Sequence, residues 1–539
     1  MSVLLRQVNA AVPRVGLTVL QRQGSTLAPK LGDPLIFKQH VCHVNGQWIP
    51  ATSGNTFEVT GRSYFVLYPL TPLSDHRLDP ATGKLIGSSP DFSAADTEAA
   101  IHAAHNALAA FRAETGRARA SMLRRWHALV MQHADDLARL ITWENGKPVA
   151  DAQGEVAYAA SFLEWFSEEA PRIYGRTVPS SMPSNRILTI REPVGVCGLI
   201  TPWNFPAAMI TRKVGPALAA GCTVVVKLPS EAPFTGLAIA ELAHRAGIPD
   251  GVVNVITSHN NTTQVGKTLA TSPTVRKISF TGSTGVGKIL MEQSSSTLKK
   301  ISMELGGNAP FIVFNDADLD AAVAGAIACK FRSSGQTCVC ANRIYVQSGV
   351  YSEFSRRLVA AVAQFKVGNG FAPGTTHGPL IHTRAVEKVS AHVRDAQAKG
   401  ASLLFGGKKL PHLGPSFYEP TVLAEMSAEM ALASEETFGP VAGLFQFETE
   451  ADVVRLANAV DVGLAGYFFS RDIERIFRVA ERLDVGMVGV NTGIISDAAA
   501  PFGGVKESGF GREGSAEGIA EYQVVKTLTF GGMGKPLQG

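Results

Sequence analysis

The chain has 539 residues, of which 45% are hydrophobic and 18% are charged, and its formal net charge is +4. This length exceeds what one hydrophobic core usually supports, so we expect two or more domains in an ordinary globular protein. No apolar run approaches the ~18 residues of a membrane span and most of the chain is electrically neutral, so neither a membrane nor a nucleic acid is an expected partner.

Residues 1–30 account for the whole net charge. They contain four basic residues and no acidic one, whereas the rest of the chain has 46 of each. Apolar residues stand among the arginines without the hydrophobic core of a secretory signal, which is typical of a mitochondrial transit peptide. We therefore predict such a peptide within residues 1–33 and a location in the mitochondrial matrix. The alternative is the frayed N-terminus of a cytoplasmic protein.

The first predicted helix begins near Ser93. Ser93 and Asp96 have the spacing of a capping box, and apolar residues then recur at helical intervals as far as Phe111. From residue 187 the pattern changes to short apolar runs separated by helical segments. Strands are predicted at 187–190, 194–200, 221–227, 251–257 and 275–280, and helices at about 235–246, at about 263–270 and from about 284.

This alternation predicts βαβ units in a doubly wound, mainly parallel sheet. Ligands bind such sheets at the carboxyl ends of their strands. A second β/α region is predicted from the strand at 310–314, through a helix at 318–332 and a strand at 343–347, to about residue 500. The expected domain boundary is near Gly306 and Gly307.

FTGSTGVGK (280–288) follows a predicted strand and opens a predicted helix. Its glycines permit a tight turn, and the N–H groups at a helix N-terminus attract phosphate. A P-loop interpretation lacks the hydroxyl residue after Lys288, because Ile289 stands there, and the dinucleotide fingerprint is not matched either. The pattern leaves a phosphate site and a plain turn both open. Lys227, at the end of its strand, is either solvated or in contact with a ligand.

Cys338 and Cys340 lie in SGQTCVCANR (334–343). Six cysteines are too few for a disulfide scaffold, and a separation of one residue without further ligand pairs is not that of a zinc site, so no metal is expected. A catalytic cysteine needs a lowered pKa, an oxyanion donor and a base. Arg332 lies six residues upstream of Cys338, Glu304 stands beside two glycines, and Asn204 lies between two prolines. Taken singly, Cys338, Glu304 and Asn204 are each more readily explained by a structural role, as a buried cysteine, a surface glutamate and a turn asparagine.

Six motifs occur together in one order: TPWNFP (201–206), FTGSTGVGK (280–288), MELGGNAP (303–310), GQTCVCANR (335–343), EETFGP (435–440) and PFGGVKESGFGREG (501–514). Over roughly residues 40–535 the chain thus resembles the aldehyde dehydrogenase superfamily. PWNFPAAMITRK, KFRSSGQTCVCANR and NTGIISDAAAPFGG are similar to the succinate-semialdehyde dehydrogenases within it.

The resemblance implies an α/β fold with three parts. These are a Rossmann-type cofactor domain (40–174 and 194–306), a second α/β catalytic domain (307–506) and a small β oligomerisation element (175–193 and 507–535). A homodimer or homotetramer is implied as well. Residues 61–78 interrupt the family pattern with an atypical insertion, either a surface loop or a translated intron.

The resemblance also implies the chemistry. Cys338 attacks the aldehyde carbon, Asn204 and the Cys338 backbone N–H bind the oxyanion, and a hydride leaves for a nicotinamide, which produces a thioester. Glu304 then activates the water that hydrolyses this thioester. The implied cofactor residues are Trp203, Lys227, Ser230, Gly282, Ser283, Glu436 and Phe438.

NADP or NAD is the expected cofactor. Ser230 stands where NAD-preferring relatives carry a glutamate that would repel a 2′-phosphate, so NADP is expected to be accepted, unless Glu231 turns inward. For the substrate carboxylate, Arg212, Arg332 and Ser496 are the implied ligands. Arg332 has a second possible role in favouring the thiolate, and both arginines are alternatively exposed surface residues.

The expected reaction is therefore the oxidation of succinate semialdehyde to succinate, as in 4-aminobutyrate degradation. The alternative substrate is another small aldehyde, such as glutarate semialdehyde. A nucleotide triphosphatase is disfavoured by Ile289, and a catalytically silent binding protein by the intact catalytic residues. Relatives with the same CVC sequence suggest a reversible disulfide between Cys338 and Cys340 that would switch activity off.

Overall fold

A computed structural model describes residues 29–59, 79–535 and 537. The predicted transit peptide up to residue 28 and the atypical segment 61–78 lie outside the described residues. Within the described part of the chain, no helix is long and apolar enough to cross a membrane.

The strands and helices alternate through most of the chain. The strands are β1 Cys42–Val44, β2 Gln47–Ile49, β3 Thr56–Val59, β4 Gly87–Pro90, β5 Arg176–Val178, β6 Arg186–Pro193, β7 Val196–Ile200, β8 Thr223–Lys227, β9 Val253–Ile256, β10 Val275–Thr281, β11 Lys300–Glu304, β12 Ala309–Val313, β13 Ala341–Gln347, β14 Ser402–Phe405, β15 Thr421–Ala424, β16 Val441–Phe447, β17 Val462–Gly463, β18 Ala465–Phe469, β19 Met487–Val490, β20 Val505–Lys506, β21 Gly509–Phe510 and β22 Gln523–Phe530. The helices are α1 Ala94–Ala113, α2 Gly116–Gln132, α3 Ala134–Asn145, α4 Val149–Glu169, α5 Ala208–Ala220, α6 Pro233–Arg245, α7 Thr262–Thr271, α8 Thr284–Ser294, α9 Leu319–Phe331, α10 Tyr351–Val362, α11 Thr383–Ala398, α12 Ala431–Ser434, α13 Glu450–Asn458, α14 Ile473–Arg482 and α15 Ser515–Ala520.

The first sheet has eight strands in the order β2-β1-β9-β8-β7-β10-β11-β21. The five central strands, from β9 to β11, are parallel, and the outer ones are antiparallel. The chain moves outward from β7 through β8 to β9 and then returns to the other side of β7 with β10. The strand order therefore reverses between β7 and β10, where open α/β sheets bind ligands. The predicted doubly wound parallel sheet is confirmed.

Both faces of this sheet are covered by helices. Along β8, Val224 and Val226 belong to the large apolar cluster that also contains residues of α2–α6, while Val225 belongs to the cluster with residues of α1 and α7. Alternate residues of a strand point to opposite faces, which explains why Val224, Val225 and Val226 are apolar at consecutive positions. The predicted capping box is also present, because the Ser93 side chain accepts from Asp96 N and Asp96 accepts from Ser93 N.

The second sheet has seven strands in the order β14-β15-β16-β13-β12-β18-β19, parallel except at β14. The chain passes from the first sheet to the second between the end of β11 and the start of β12. A third sheet of three strands is formed by β5, β6 and β22. The β21 strand pairs with β11 in the first sheet. Of the segment 507–535, only β22 therefore belongs to the same sheet as β5 and β6.

The sequence did not predict β11. This strand pairs in parallel with β10 along its whole length, and Glu304 is its last residue. Glu304 therefore stands at the carboxyl end of one strand and shortly before the next, β12. The polar ends of Lys300–Glu304 obscure the apolar pattern, and parallel pairing with β10 is a long-range interaction that a local pattern does not show.

A buried ion pair anchors the loop that follows β7. The Lys147 ammonium donates to Glu155 Oε2 and to the Asn204 carbonyl oxygen, both at 2.7 Å, and lies 4.1 Å from the centre of the Phe205 ring. Glu155 Oε1 accepts from Ala207 N at 2.9 Å. Helix α4 and the segment before it therefore fix the backbone of residues 204–207.

We predict that Lys147→Met destabilises the protein by about 3–5 kcal/mol, because it leaves the Glu155 carboxylate buried without its counter-ion. Thermal unfolding should show a markedly lower midpoint. The control is Lys288→Met, which breaks an ion pair with Glu507 whose two side chains are 62% and 45% exposed; this variant should unfold close to wild type. Equal midpoints for the two variants would contradict the anchoring role of Lys147.

Candidate active site

The predicted site residues meet between the two large sheets. Trp203 and Asn204 follow β7, Gly282 and Ser283 follow β10, and Glu304 ends β11. The second sheet contributes residues that precede its strands. A cavity of about 230 Å³ is lined by Pro202, Trp203, Asn204, Thr281, Gly282, Ser283, Leu305, Gly306, Cys338, Glu436 and Phe438. This cavity therefore lies where the strand order of the first sheet reverses, between β7 and β10.

Cys338 lies in a tight turn between α9 and β13. Ser333, Ser334 and Gly335 all have positive φ, between 50° and 76°. At Gly335 a Cβ atom would lie 2.1 Å from the carbonyl oxygen of Gly439, so this close approach requires glycine. The turn places Cys338 half-buried on the wall of the 230 Å³ cavity.

Burial and the Glu304 carboxylate raise the pKa of the Cys338 thiol, and the Arg212 guanidinium opposes that increase. The cation that most favours the thiolate is therefore Arg212, whereas the sequence suggested Arg332 for this role. The Arg332 guanidinium instead stacks over the Phe205 ring, 5.0 Å from its centre.

The Asn204 amide is held from two directions. Its Nδ2 donates to the carbonyl oxygen of Gln336 at 3.1 Å, and its backbone oxygen is bound by Lys147. One N–H of the amide thus remains for another acceptor in the cavity that Asn204 and Cys338 share. This arrangement fits an oxyanion donor that does not need to reorient during a reaction.

Glu304 is 5% exposed, and neither of its carboxylate oxygens has a hydrogen-bond partner among the described residues. Its Oε2 lies 3.6 Å from Nη2 of Arg212. Burial raises the pKa of Glu304 to about 8, with the positive charge of Arg212 acting in the opposite direction. A carboxyl group with this pKa is suited to general base catalysis near neutral pH.

Arg212 and Lys213 both form ion pairs with Glu513, and all three side chains are buried. The sequence analysis quoted the motif that contains Glu513 but gave this residue no role. The only local signal was an acidic residue within a glycine-rich segment, GREG. The pairing joins α5 to a part of the chain 300 residues away, so no sequence spacing could show it.

At the other end of the cavity, Gly307 N donates to Glu436 Oε1 at 3.3 Å, and burial raises the pKa of Glu436 to about 7. Phe438 has a φ of 53°, which turns its ring edge-on to Trp203 at 5.7 Å between centres. Ser283 caps α8 without a side-chain hydrogen bond to the helix. This helix N-terminus therefore still offers N–H groups to an anion.

Lys227 is the last residue of β8, and Ser230 lies in the loop that follows. Lys227 is 6% exposed, and burial lowers the pKa of its ammonium while the Glu231 carboxylate opposes that change. Ser230 Oγ donates to Glu231 Oε2 at 3.1 Å. Glu231 thus lies close to both residues, the arrangement that the sequence analysis identified as unfavourable for a 2′-phosphate.

A second cavity, of about 470 Å³, contains Arg332 and Ser496. Its lining residues are Asp151, Tyr158, Ile327, Ala328, Phe331, Arg332, Phe365, Thr376, His377, Ile494 and Ser496. Arg212, the third predicted substrate ligand, is not on this wall but in the ion pairs with Glu513 and Glu304. Asp151 and Tyr158 were missed by the sequence analysis. Their separation of seven residues on α4, two helical turns, was the available signal.

All six cysteines are free thiols. Cys340 is 5% exposed, and its N–H donates to the Thr337 carbonyl oxygen at 3.0 Å. The disulfide between Cys338 and Cys340 stays a prediction. Within residues 29–59 and 79–535, no group of three or more His, Cys, Asp or Glu side chains could hold a metal ion.

Comparisons with known proteins agree with this geometry. A model of the aldehyde dehydrogenase family matches residues 74–528. The chain is 54% identical to the glutarate-semialdehyde dehydrogenase of Pseudomonas putida, over 93% of this chain and 99% of that protein. It is 53% identical to the succinate-semialdehyde dehydrogenase of Escherichia coli, which is named for NADP(+), over 93% of this chain and 100% of that protein.

Among solved structures, the succinate-semialdehyde dehydrogenase of Burkholderia pseudomallei superposes with a TM-score of 0.88 at 53% identity, over 93% of this chain and 99% of that one. The match of the family model, the identity to full-length relatives and the shared fold confirm the resemblance seen in the motifs. The chain belongs to the aldehyde dehydrogenase family.

Proposed function

We propose that the protein oxidises succinate semialdehyde to succinate, with NADP or NAD as the hydride acceptor and Cys338 as the nucleophile. The observation that carries this proposal is the pairing of Arg332 and Ser496 on the wall of one cavity. A guanidinium and a hydroxyl match the distal carboxylate of a semialdehyde. Arg332 is six residues from Cys338, on the far side of the turn that presents the thiol.

Glutarate semialdehyde is the second candidate. Relatives named for glutarate and for succinate semialdehyde are about equally similar to this chain. The two substrates differ by one methylene, and one methylene is worth only about 1–3 kcal/mol of discrimination. The proposed chemistry is the same for both.

The first half of the proposed reaction forms a thioester. The Cys338 thiolate adds to the aldehyde carbon, and the free N–H of Asn204 and the Cys338 backbone N–H stabilise the resulting oxyanion. Lys147 keeps Asn204 in place through its carbonyl oxygen. Removing one oxyanion donor typically costs about 2.7–4 kcal/mol of transition-state stabilisation.

The 230 Å³ cavity has the features of a dinucleotide site. Gly282 and Ser283 precede α8 and its free N–H groups, Glu436 and Phe438 share the cavity wall with the thiol, and Trp203 packs against Phe438. Outside this wall, Lys227 ends β8 and Ser230 follows it. When bound, the dinucleotide supplies the hydride acceptor. These residues would hold it and exclude water from the reacting carbon.

The second half hydrolyses the thioester. Glu304, once deprotonated, takes a proton from water, and the hydroxide attacks the acyl carbon. Arg212 lies 3.6 Å away and compensates part of the cost of a buried carboxylate. Cys338 is then released as the thiolate for the next cycle.

The central test follows reduced-nicotinamide absorbance with each semialdehyde and with NAD and NADP in parallel. Wild type should oxidise both semialdehydes, and Cys338→Ala should lose the activity almost completely, because no other group on the cavity wall can form the thioester. Cys340→Ala is the matched control and should retain activity. Turnover by the Cys338 variant at the rate of wild type would contradict the proposal.

We predict that thioester hydrolysis depends on pH through Glu304. Since its pKa is raised to about 8, the base form increases as pH rises. The single-turnover hydrolysis rate should therefore increase about tenfold per unit from pH 6 to 8 and then level off. Glu304→Gln should slow this step by about 10²–10⁴-fold and accumulate acyl-enzyme on the Cys338 peptide, measured by mass spectrometry. A rate independent of pH, or no acyl-enzyme in the variant, would contradict the role of Glu304.

We predict that residues 230 and 231 control the choice of cofactor. Glu231→Gln removes a negative charge beside Lys227 and should raise the ratio of kcat/KM for NADP to that for NAD. Ser230→Glu adds a charge that repels the 2′-phosphate and should lower this ratio at least tenfold, about 1.4 kcal/mol. Ser230→Ala serves as the control for loss of the hydroxyl. Identical ratios in all four proteins would contradict this assignment.

The assembly and location are proposed from the third sheet and from the N-terminal composition. We expect a homodimer or homotetramer, with β5, β6 and β22 as the oligomerisation element. The expected compartment is the mitochondrial matrix, with the cytoplasm as the alternative, from the basic composition of residues 1–30.

A further inference from the structure

Tyr158 is the one aromatic hydroxyl on the described wall of the 470 Å³ cavity that holds Arg332 and Ser496. Its ring packs edge-on against Phe162 on the same helix, with 4.8 Å between centres, which fixes the direction of the hydroxyl. The Tyr158 hydroxyl oxygen is inaccessible to solvent, and no described residue accepts its proton. A buried donor without an acceptor is unfavourable, so this group calls for an explanation.

The charges around Tyr158 indicate which kind of hydrogen-bond acceptor its hydroxyl lacks. Burial raises the pKa of the Tyr158 phenol, and the positive charges of Arg212 and Arg332 both oppose that increase. The phenol therefore keeps its proton at neutral pH and lies within electrostatic reach of two guanidinium groups. Since guanidinium groups only donate hydrogen bonds, neither arginine can accept the phenolic proton.

The carboxylates nearby are already engaged. Asp151 accepts from Ser333 N at 3.2 Å, and Glu513 is paired with Arg212 and Lys213. His377, the other titratable residue on the wall, has its Nδ1 2.9 Å from Thr376 Oγ1. The described residues thus leave the phenolic proton without an acceptor that a ligand can supply, and two guanidinium groups nearby favour a negatively charged ligand.

We propose that the Tyr158 hydroxyl donates a hydrogen bond to the distal carboxylate of the bound semialdehyde and so acts as a specificity-determining residue beside Arg332 and Ser496. This inference rests on the proposed function. A site that hydrogen-bonds a substrate group rejects analogues that lack the group, because the buried donor is then left unpaired. Tyr158 thus favours aldehydes with a distal carboxylate over simple aliphatic aldehydes.

The test compares wild type and Tyr158→Phe with succinate semialdehyde, glutarate semialdehyde and pentanal, which has no carboxylate. The variant keeps the ring and its packing on Phe162. Loss of one hydrogen bond to a charged group should lower kcat/KM for the semialdehydes about 10- to 100-fold, mainly through KM, because the bond is present in ground and transition states alike. The values for pentanal should stay within about threefold of wild type.

A second measurement needs no turnover. Succinate should raise the unfolding midpoint of wild type by binding the folded state, and this increase should be much smaller in Tyr158→Phe. Tyr174→Phe is the matched control, since Tyr174 is 72% exposed and outside the cavity; it should behave as wild type in both measurements.

The outcomes separate the two proposals. Equal losses on all three aldehydes would assign Tyr158 a structural role, and unchanged kinetics and succinate binding would remove it from the site; either result overturns the inference while the semialdehyde activity stands. If wild type itself showed no preference for semialdehydes over pentanal, the proposed function would fail, and the role of Tyr158 with it.

Discussion

The proposed site depends on a cluster of buried ion pairs around Arg212. Arg212 is fully buried and lies between two carboxylates, Glu304 from the end of β11 and Glu513 from a segment near the C-terminus. A buried guanidinium without partners would be strongly destabilising, so these three chain segments have to meet. The same contact moderates the pKa of the proposed base and favours the thiolate of Cys338, which links the folding of the cleft directly to its chemistry.

The topology explains why the reacting groups come from distant parts of the chain. The reversal of strand order between β7 and β10 opens a crevice at the carboxyl ends of both strands, and the loops with Asn204 and Gly282 border it. The second sheet closes this crevice with the turn that carries Cys338. The 230 Å³ cavity that Cys338 lines and the 470 Å³ cavity that holds Arg332 and Ser496 are separate, and we propose that the first takes the dinucleotide and the second the substrate carboxylate.

Several buried polar residues surround the proposed site. Lys147 and Glu155 immobilise the Asn204 loop, Glu231 constrains Lys227 and Ser230, and Tyr158 keeps a hydroxyl for which the described protein offers no acceptor. Satisfied buried groups rigidify a site, whereas an unsatisfied one marks the position of a ligand. Lys147, Glu155 and Glu231 thus hold other residues of the proposed site, whereas Tyr158 has a free donor for the proposed substrate.

Local patterns in the sequence were enough for the alternation of strands and helices around the first sheet, the cap at Ser93 and, through the motifs, the family. The motifs also nominated Cys338, Glu304 and Asn204, although each of these residues taken alone is more readily explained by a structural role. Tertiary structure alone decided that β11 exists, that Arg212 lies between Glu304 and Glu513, and that Tyr158 shares a cavity wall with Arg332. Those facts arise from contacts across as many as 300 residues or from the packing of a helix face, and the energy of a buried charge or hydroxyl depends on neighbours that no local window contains.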